Sequence, residues 1–172
     1  RGGKAKRVTL ADFVDGVNTE PVTVFNVDDK DELAWAWLAE PGQDTLLLTR
    51  RGQAIRFKQD EVRAMGLPAG GVNAVRLGAK DHVIAAMAVE TGAELLTITE
   101  NGFAKRSSLA DFPVQGRAGG GVQAHSLNAR TGLLALAASV TGPTWAAVLP
   151  TSGGVKTLRA SDAPLANRAA QG

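Results

Sequence analysis

Four stretches of this chain carry basic residues at matching places, and a cation repeated in register is chemistry suited to gripping a polymer. They run from Gly3 to Phe13 with Lys6 and Arg7, from Gly52 to Val62 with Arg56 and Lys58, from Gly102 to Phe112 with Lys105 and Arg106, and more faintly from Gly153 to Ala163 with Lys156 and Arg159. The lead glycines stand 49, 50 and 51 residues apart. A period of that size is the signature of blades or a repeat array. Arg50, Arg51, Arg63, Arg76, Arg117 and Arg168 add further cations around the same motifs.

Other chemistry is poorly supplied. The chain has no cysteine for thiol or zinc work, and its two histidines, His82 and His125, fall in different repeats without paired carboxylates nearby. Asp28, Asp29, Asp31 and Glu32 follow no calcium-loop spacing and read as a solvated turn. Gly70-Gly71 and Gly119-Gly120-Gly121 lack the strand–loop–helix context and the Lys-Ser/Thr ending of a phosphate loop. They read as positions of positive φ or of close backbone approach. No cofactor and no metal site is expected.

The elements that position the cations are short strands. Thr45-Leu46-Leu47-Leu48-Thr49, a turn at Arg50-Arg51-Gly52-Gln53 and the alternating Ala54-Ile55-Arg56-Phe57-Lys58 predict a hairpin. A Gly- and Pro-rich loop over residues 60–71, with room for one helical turn, leads to strands over 72–77 and 82–89. Residues 94–138 repeat that order, and a second glycine landmark, Gly71, Gly121 and Gly172, stands 19 residues after Gly52, Gly102 and Gly153. Four antiparallel strands per repeat is the count of a propeller-like blade. The expected fold is all-β, one array of repeats over residues 1–43, 44–93, 94–142 and 143–172, with three to four blades forming an incomplete disc. Phe13, Phe57 and Phe112 are expected in blade cores, and Trp35, Trp37 and Trp145 in cores or blade contacts.

At 172 residues and 44% apolar composition the chain can build a sizeable core without disulfides, and a cytosolic protein is the easy reading. No apolar run reaches a membrane span, so no membrane partner is expected. The chain starts without Met inside a repeat, which suggests a piece of something larger. The net charge of +2 hides an asymmetry: residues 1–100 hold 12 Lys/Arg against 15 Asp/Glu, and residues 101–172 hold 7 against 2.

The run from Gly52 to Phe57 with Glu61-Val62-Arg63-Ala64-Met65-Gly66, Gly71-Val72 and Val75-Arg76-Leu77-Gly78 resembles the repeats in the C-terminal domain of the DNA gyrase A protein, shared with topoisomerase IV. Thr99-Glu100-Asn101-Gly102-Phe103-Ala104-Lys105-Arg106, with Arg117 and Gly119-Gly120-Gly121-Val122, resembles them in the same register. The resemblance implies a β-pinwheel, a disc of four-stranded blades whose basic rim bends duplex DNA, of which this chain would be roughly half. The opening Arg1-Gly2-Gly3-Lys4-Ala5 is similar to that family's glycine-rich box, but the register places it in an ordinary repeat.

The resemblance thus implies a non-catalytic module that bends or wraps duplex DNA for a type II topoisomerase. Its partners would be the ATPase component of the holoenzyme, the remaining blades and the N-terminal part of the gyrase A protein, in the cytoplasm at the bacterial nucleoid. The chain has no tyrosine, so it cannot itself carry the nucleophile with which such enzymes cut DNA. Candidate phosphate contacts are Lys6, Arg7, Arg50, Arg51, Arg56, Lys58, Arg63, Arg76, Lys105, Arg106, Arg117, Lys156, Arg159 and Arg168, with Arg56 and Arg106 favoured because they match in register. The alternative is a propeller-like protein-interaction scaffold using the acidic first part and Trp35/Trp37.

Overall fold

The structure, a computed structural model, describes residues 1–16 and 21–172. Its strands in chain order are β1 (Lys4–Ala5), β2 (Asp44–Thr49), β3 (Gln53–Lys58), β4 (Val72–Asn73), β5 (Val83–Ala88), β6 (Glu94–Thr99), β7 (Ala104–Ser108), β8 (Val122–Gln123), β9 (Leu134–Val140), β10 (Trp145–Val148) and β11 (Lys156–Arg159). One helix, α1, covers Leu10–Gly16, its start capped by the Thr9 hydroxyl accepting from the Asp12 amide at 3.0 Å.

The hairpins β2-β3 and β6-β7 each belong to a larger sheet. β2 pairs antiparallel with both β3 and β5, and β6 with both β7 and β9. The fourth strand comes from the following repeat: β8 pairs with the start of β3, Ala54 opposite Val122, just as β4 pairs with β1, Ala5 opposite Val72. The strand expected over 72–77 within its own blade is regular only at Val72–Asn73, and it is handed back to β1 of the preceding repeat. The sheet over blade two therefore runs β5-β2-β3-β8.

A further link crosses each seam. The loop after β3 turns through a single 3-10 turn at Gln59–Glu61, and equivalent turns follow β7 at Leu109–Asp111 and β11 at Ala160–Asp162. Beyond them, the amides of Met65, Gln115 and Ala166 donate to the carbonyls of Arg7, Arg56 and Arg106 at 2.9, 2.7 and 2.9 Å. The landmark glycines explain themselves at this seam. Gly71 and Gly121 have φ of +75° and +76°, and a Cβ at Gly71 would lie 2.7 Å from the Ala5 carbonyl oxygen, while one at Gly121 would lie 2.8 Å from the Ala54 carbonyl carbon. What approaches these glycines is the neighbouring blade's strand.

Two of the cores lie between blades, and one lies within blade two. Leu46, Leu48, Ala54 and Ala85 of blade two pack on Leu95, Leu109, Phe112 and Ala124, and Leu47, Ile55, Phe57 and Val62 form a second cluster with Ala74 and Val75. Leu96, Ile98 and Val140 pack on Ala160 and Ala163. Phe57 and Phe112 are buried as expected, but Phe13 is 42% exposed. It stands in α1, and among the described residues β1 has no hairpin partner to cover it. Of the three tryptophans only Trp35 packs against a core. Trp37 and Trp145 are exposed, and residues 32–40 form no strand, so Trp35 and Trp37 share no strand face. Trp145 lies on a two-stranded sheet, β10-β11, with the Arg159 guanidinium 4.9 Å from its ring.

Candidate nucleic-acid interface

The fourteen candidate cations fall into two sets. In the first, the charge is spent on holding the blades together. Arg56 donates from Nε to Asp44 at 2.8 Å and from Nη1 across the seam to the Leu109 carbonyl at 3.0 Å. Arg106 repeats this arrangement, pairing with Glu94 and donating to the Ala163 carbonyl at 3.0 Å. In both blades the acid stands twelve residues before the arginine and starts the first hairpin strand. The register match that favoured these two arginines is thus a match in blade construction. An acid twelve residues before an arginine was the signal in the sequence that identifies the pair.

Six others are also engaged. Arg7 pairs with Asp60 at 2.6 Å, and Arg50 with Glu100, its own counterpart one repeat on, holding the Glu100 carboxyl below its ordinary range. Arg117 and Arg168, counterparts in successive loops, donate to the carbonyls of Asn73 and Gln123, both at 2.9 Å. Lys6 donates to the Val24 carbonyl at 2.8 Å, and desolvation lowers its pKa. Lys105 is 0% exposed, with its ammonium donating to Ser107 Oγ and to the carbonyls of Asn167 and Arg168. It has no surface to offer a phosphate.

The second set reaches solvent. Arg51, Arg63, Arg76 and Lys156 are exposed, and among the described residues their side chains take no hydrogen-bond or ion-pair partner. Lys58 is 68% exposed and only 3.9 Å from Asp44, a loose pair in a screened setting. Arg159 lies over Trp145. Lys58 and Arg159 occupy the same place in their hairpins, opposite the first strand residue and immediately before a 3-10 turn. Two of the three hairpins therefore carry an exposed cation in register, two residues beyond the place of Arg56 and Arg106, while the β6-β7 hairpin has Ser108 there. Cations held in this way can neutralise phosphates, whereas those in the seams shape the surface that presents them.

Bladed sheets that take their last strand from the next repeat define a β-pinwheel. A sequence model for the DNA gyrase C-terminal domain, a beta-propeller family, matches residues 43–90, 93–137 and 151–172, and the chain belongs to that family. The chain is 37% identical over 78 residues to the DNA gyrase A protein of Mycobacterium tuberculosis and 38% identical over 76 residues to that of Chlamydia trachomatis. Each match covers 44% of this chain and 9% of the relative, so the chain spans a small part of the proteins it matches. In fold it is similar over its full length to the C-terminal domain of DNA topoisomerase IV, with a TM-score of 0.90 at 21% identity, covering 54% of that chain. A DNA gyrase A C-terminal domain superposes over 99% of the chain with a TM-score of 0.84 at 22% identity, 57% of it being covered.

Proposed function

We propose that this chain is a non-catalytic DNA-binding module that bends or wraps duplex DNA as an accessory part of a gyrase-like type II topoisomerase. The observation that carries this reading is the exposed set Arg51, Lys58, Arg63, Arg76, Lys156 and Arg159, which reaches solvent while the other candidate cations are engaged within and between the blades. Duplex DNA offers closely spaced phosphates, and their neutralisation by Lys and Arg releases counterions without reading sequence. Bending a site of two to three turns costs on the order of 1–6 kcal/mol, which several such contacts offset. The proposed protein partners are the ATPase component and the remainder of the gyrase A protein, in a cytoplasmic complex at the nucleoid. No helix among the described residues is long and apolar enough to cross a membrane.

Charge reversal tests the assignment. Lys58→Glu with Arg63→Glu is expected to weaken binding of a thirty-base-pair duplex at least tenfold while shifting the unfolding midpoint little, because neither side chain is packed. Unchanged binding would remove these residues from the interface. The exposed Leu33, Trp37 and Leu38 favour a second reading, a protein-contact surface. A scaffold of that kind would keep its protein partner in the charge-reversed variant and lose it in Trp37→Ala.

A further inference from the structure

Blade three buries a polar cluster where blade two is apolar. In blade two, Leu47, Ile55, Phe57 and Val75 belong to one hydrophobic cluster. Fifty residues on, the same places hold Thr97, Lys105, Ser107 and His125, all about 1% exposed or less. Leu47 faces Ile55 across the hairpin as Thr97 faces Lys105. Thr97 Oγ1 and His125 Nδ1 are 3.0 Å apart, and Lys105 reaches Ser107 Oγ at 3.1 Å and the carbonyls of Asn167 and Arg168 at 2.8 and 2.7 Å. His125 Nε2 and Gln171 Nε2 are buried without a hydrogen-bond partner. The segment around residues 163–171 is thus seated on blade three by polar groups, where the equivalent segment 112–120 sits on Ile55, whose Cδ1 would be 3.5 Å from a Cβ at Gly119.

We propose that this cluster makes the seam between blade three and the segment 163–171 an acid-sensitive joint, which opens when His125 takes up a proton beside the Lys105 ammonium. The charged groups that act on the pair are Asp111, which favours the Lys105 charge, and Arg168, which opposes it. A second positive charge on His125 would find no acid close by, only a backbone hydrogen bond to Gln171 that favours it less than burial and the Lys105 charge oppose it. Burial and then the Lys105 charge lower the His125 pKa, and burial pushes that of Lys105 down to about 8. A base whose folded pKa is depressed is protonated more readily in the open state, so by linkage the joint weakens as pH falls below the open-state value near 6.5. Lys105 acts in the same direction at higher pH, tightening the joint from about 8 upward.

The matched amides of Ala166 and Gln115, which donate to Arg106 and Arg56 across successive seams, supply the test in the full chain. After correction for intrinsic exchange, hydrogen exchange at Ala166 is expected to accelerate about tenfold between pH 7.5 and 5.5, the most one such histidine can provide, while Gln115 stays flat. His125→Gln should abolish the difference. In the unsubstituted chain, NMR signals of residues 163–171 should titrate with the His125 imidazole. Equal responses at Ala166 and Gln115, persistence of the effect in a folded His125→Gln variant, or signals that titrate independently of the imidazole would each overturn the proposal.

Discussion

Gly121→Ala is expected to destabilise the protein by about 3–5 kcal/mol, a large share of the 5–15 kcal/mol that a domain of this kind has in total. Two costs combine. The residue sits at φ +76°, where an L-residue pays about 1–2 kcal/mol. Its new Cβ would also press on the Ala54 carbonyl and the Ile55 amide nitrogen, which are backbone atoms of β3 and have no rotamer by which to move aside. Relief requires β8 to leave β3, which breaks the pairing of Ala54 with Val122 and strains the bond from the Ala124 amide to the Gly52 carbonyl at 2.7 Å. Gly153→Ala separates the two costs, since Gly153 has φ +86° but open space around it and should lose only about 1–2 kcal/mol. Denaturant midpoints for the two variants measure the contrast. Equal losses would mean that the close approach at the seam contributes nothing.

Arg56→Ala is expected to cost about 2–3 kcal/mol in the same experiment, although arginine at an apparent DNA-binding position would ordinarily be replaced with little effect on stability. The substitution leaves the Asp44 carboxylate 8–9% exposed with only the distant Lys58 for company, and it removes a donor from the Leu109 carbonyl in the next blade. Adding Asp44→Ala should return about 1 kcal/mol, because the stranded carboxylate goes with its partner. Arg63→Ala, exposed and without a side-chain partner among the described residues, should stay within about 0.5 kcal/mol of the unsubstituted chain. If Arg56→Ala proves as mild as Arg63→Ala, the arginine is not a seam tie.

The repeat was legible in the sequence because its landmarks answer to local backbone needs. Gly3, Gly52, Gly102 and Gly153 all take positive φ, the last three at hairpin turns, and Leu46 to Leu48 and Leu95 to Ile98 lie in strands of largely apolar residues. Arg1 to Ala5 read as part of a repeat, and Lys4–Ala5 is the strand that receives β4. The strand exchange was hidden, since the pairing of Val72 with Ala5 joins residues of two repeats and leaves no periodic mark of its own. The cations could be found but not sorted. Whether an arginine meets a phosphate or a carbonyl depends on what the next blade brings beside it, and Arg56 meets Leu109 across 53 residues of chain. Lys105 misled for the same reason: its charge suggested surface, but its place is that of Ile55, inside. Comparing the copies by the character of each position, in addition to their cations, would have exposed it.

The most direct measurement is the affinity of the chain for a duplex of about thirty base pairs as salt is raised from about 50 to 200 mM. Each phosphate held by Lys or Arg contributes roughly −0.9 to the slope of log K against log salt. Engagement of most of the six exposed cations therefore predicts a slope of roughly −4 to −5, made shallower by about 2 in Lys58→Glu with Arg63→Glu. A slope near zero, or one that the two charge reversals leave unchanged, would contradict a phosphate grip by these blades.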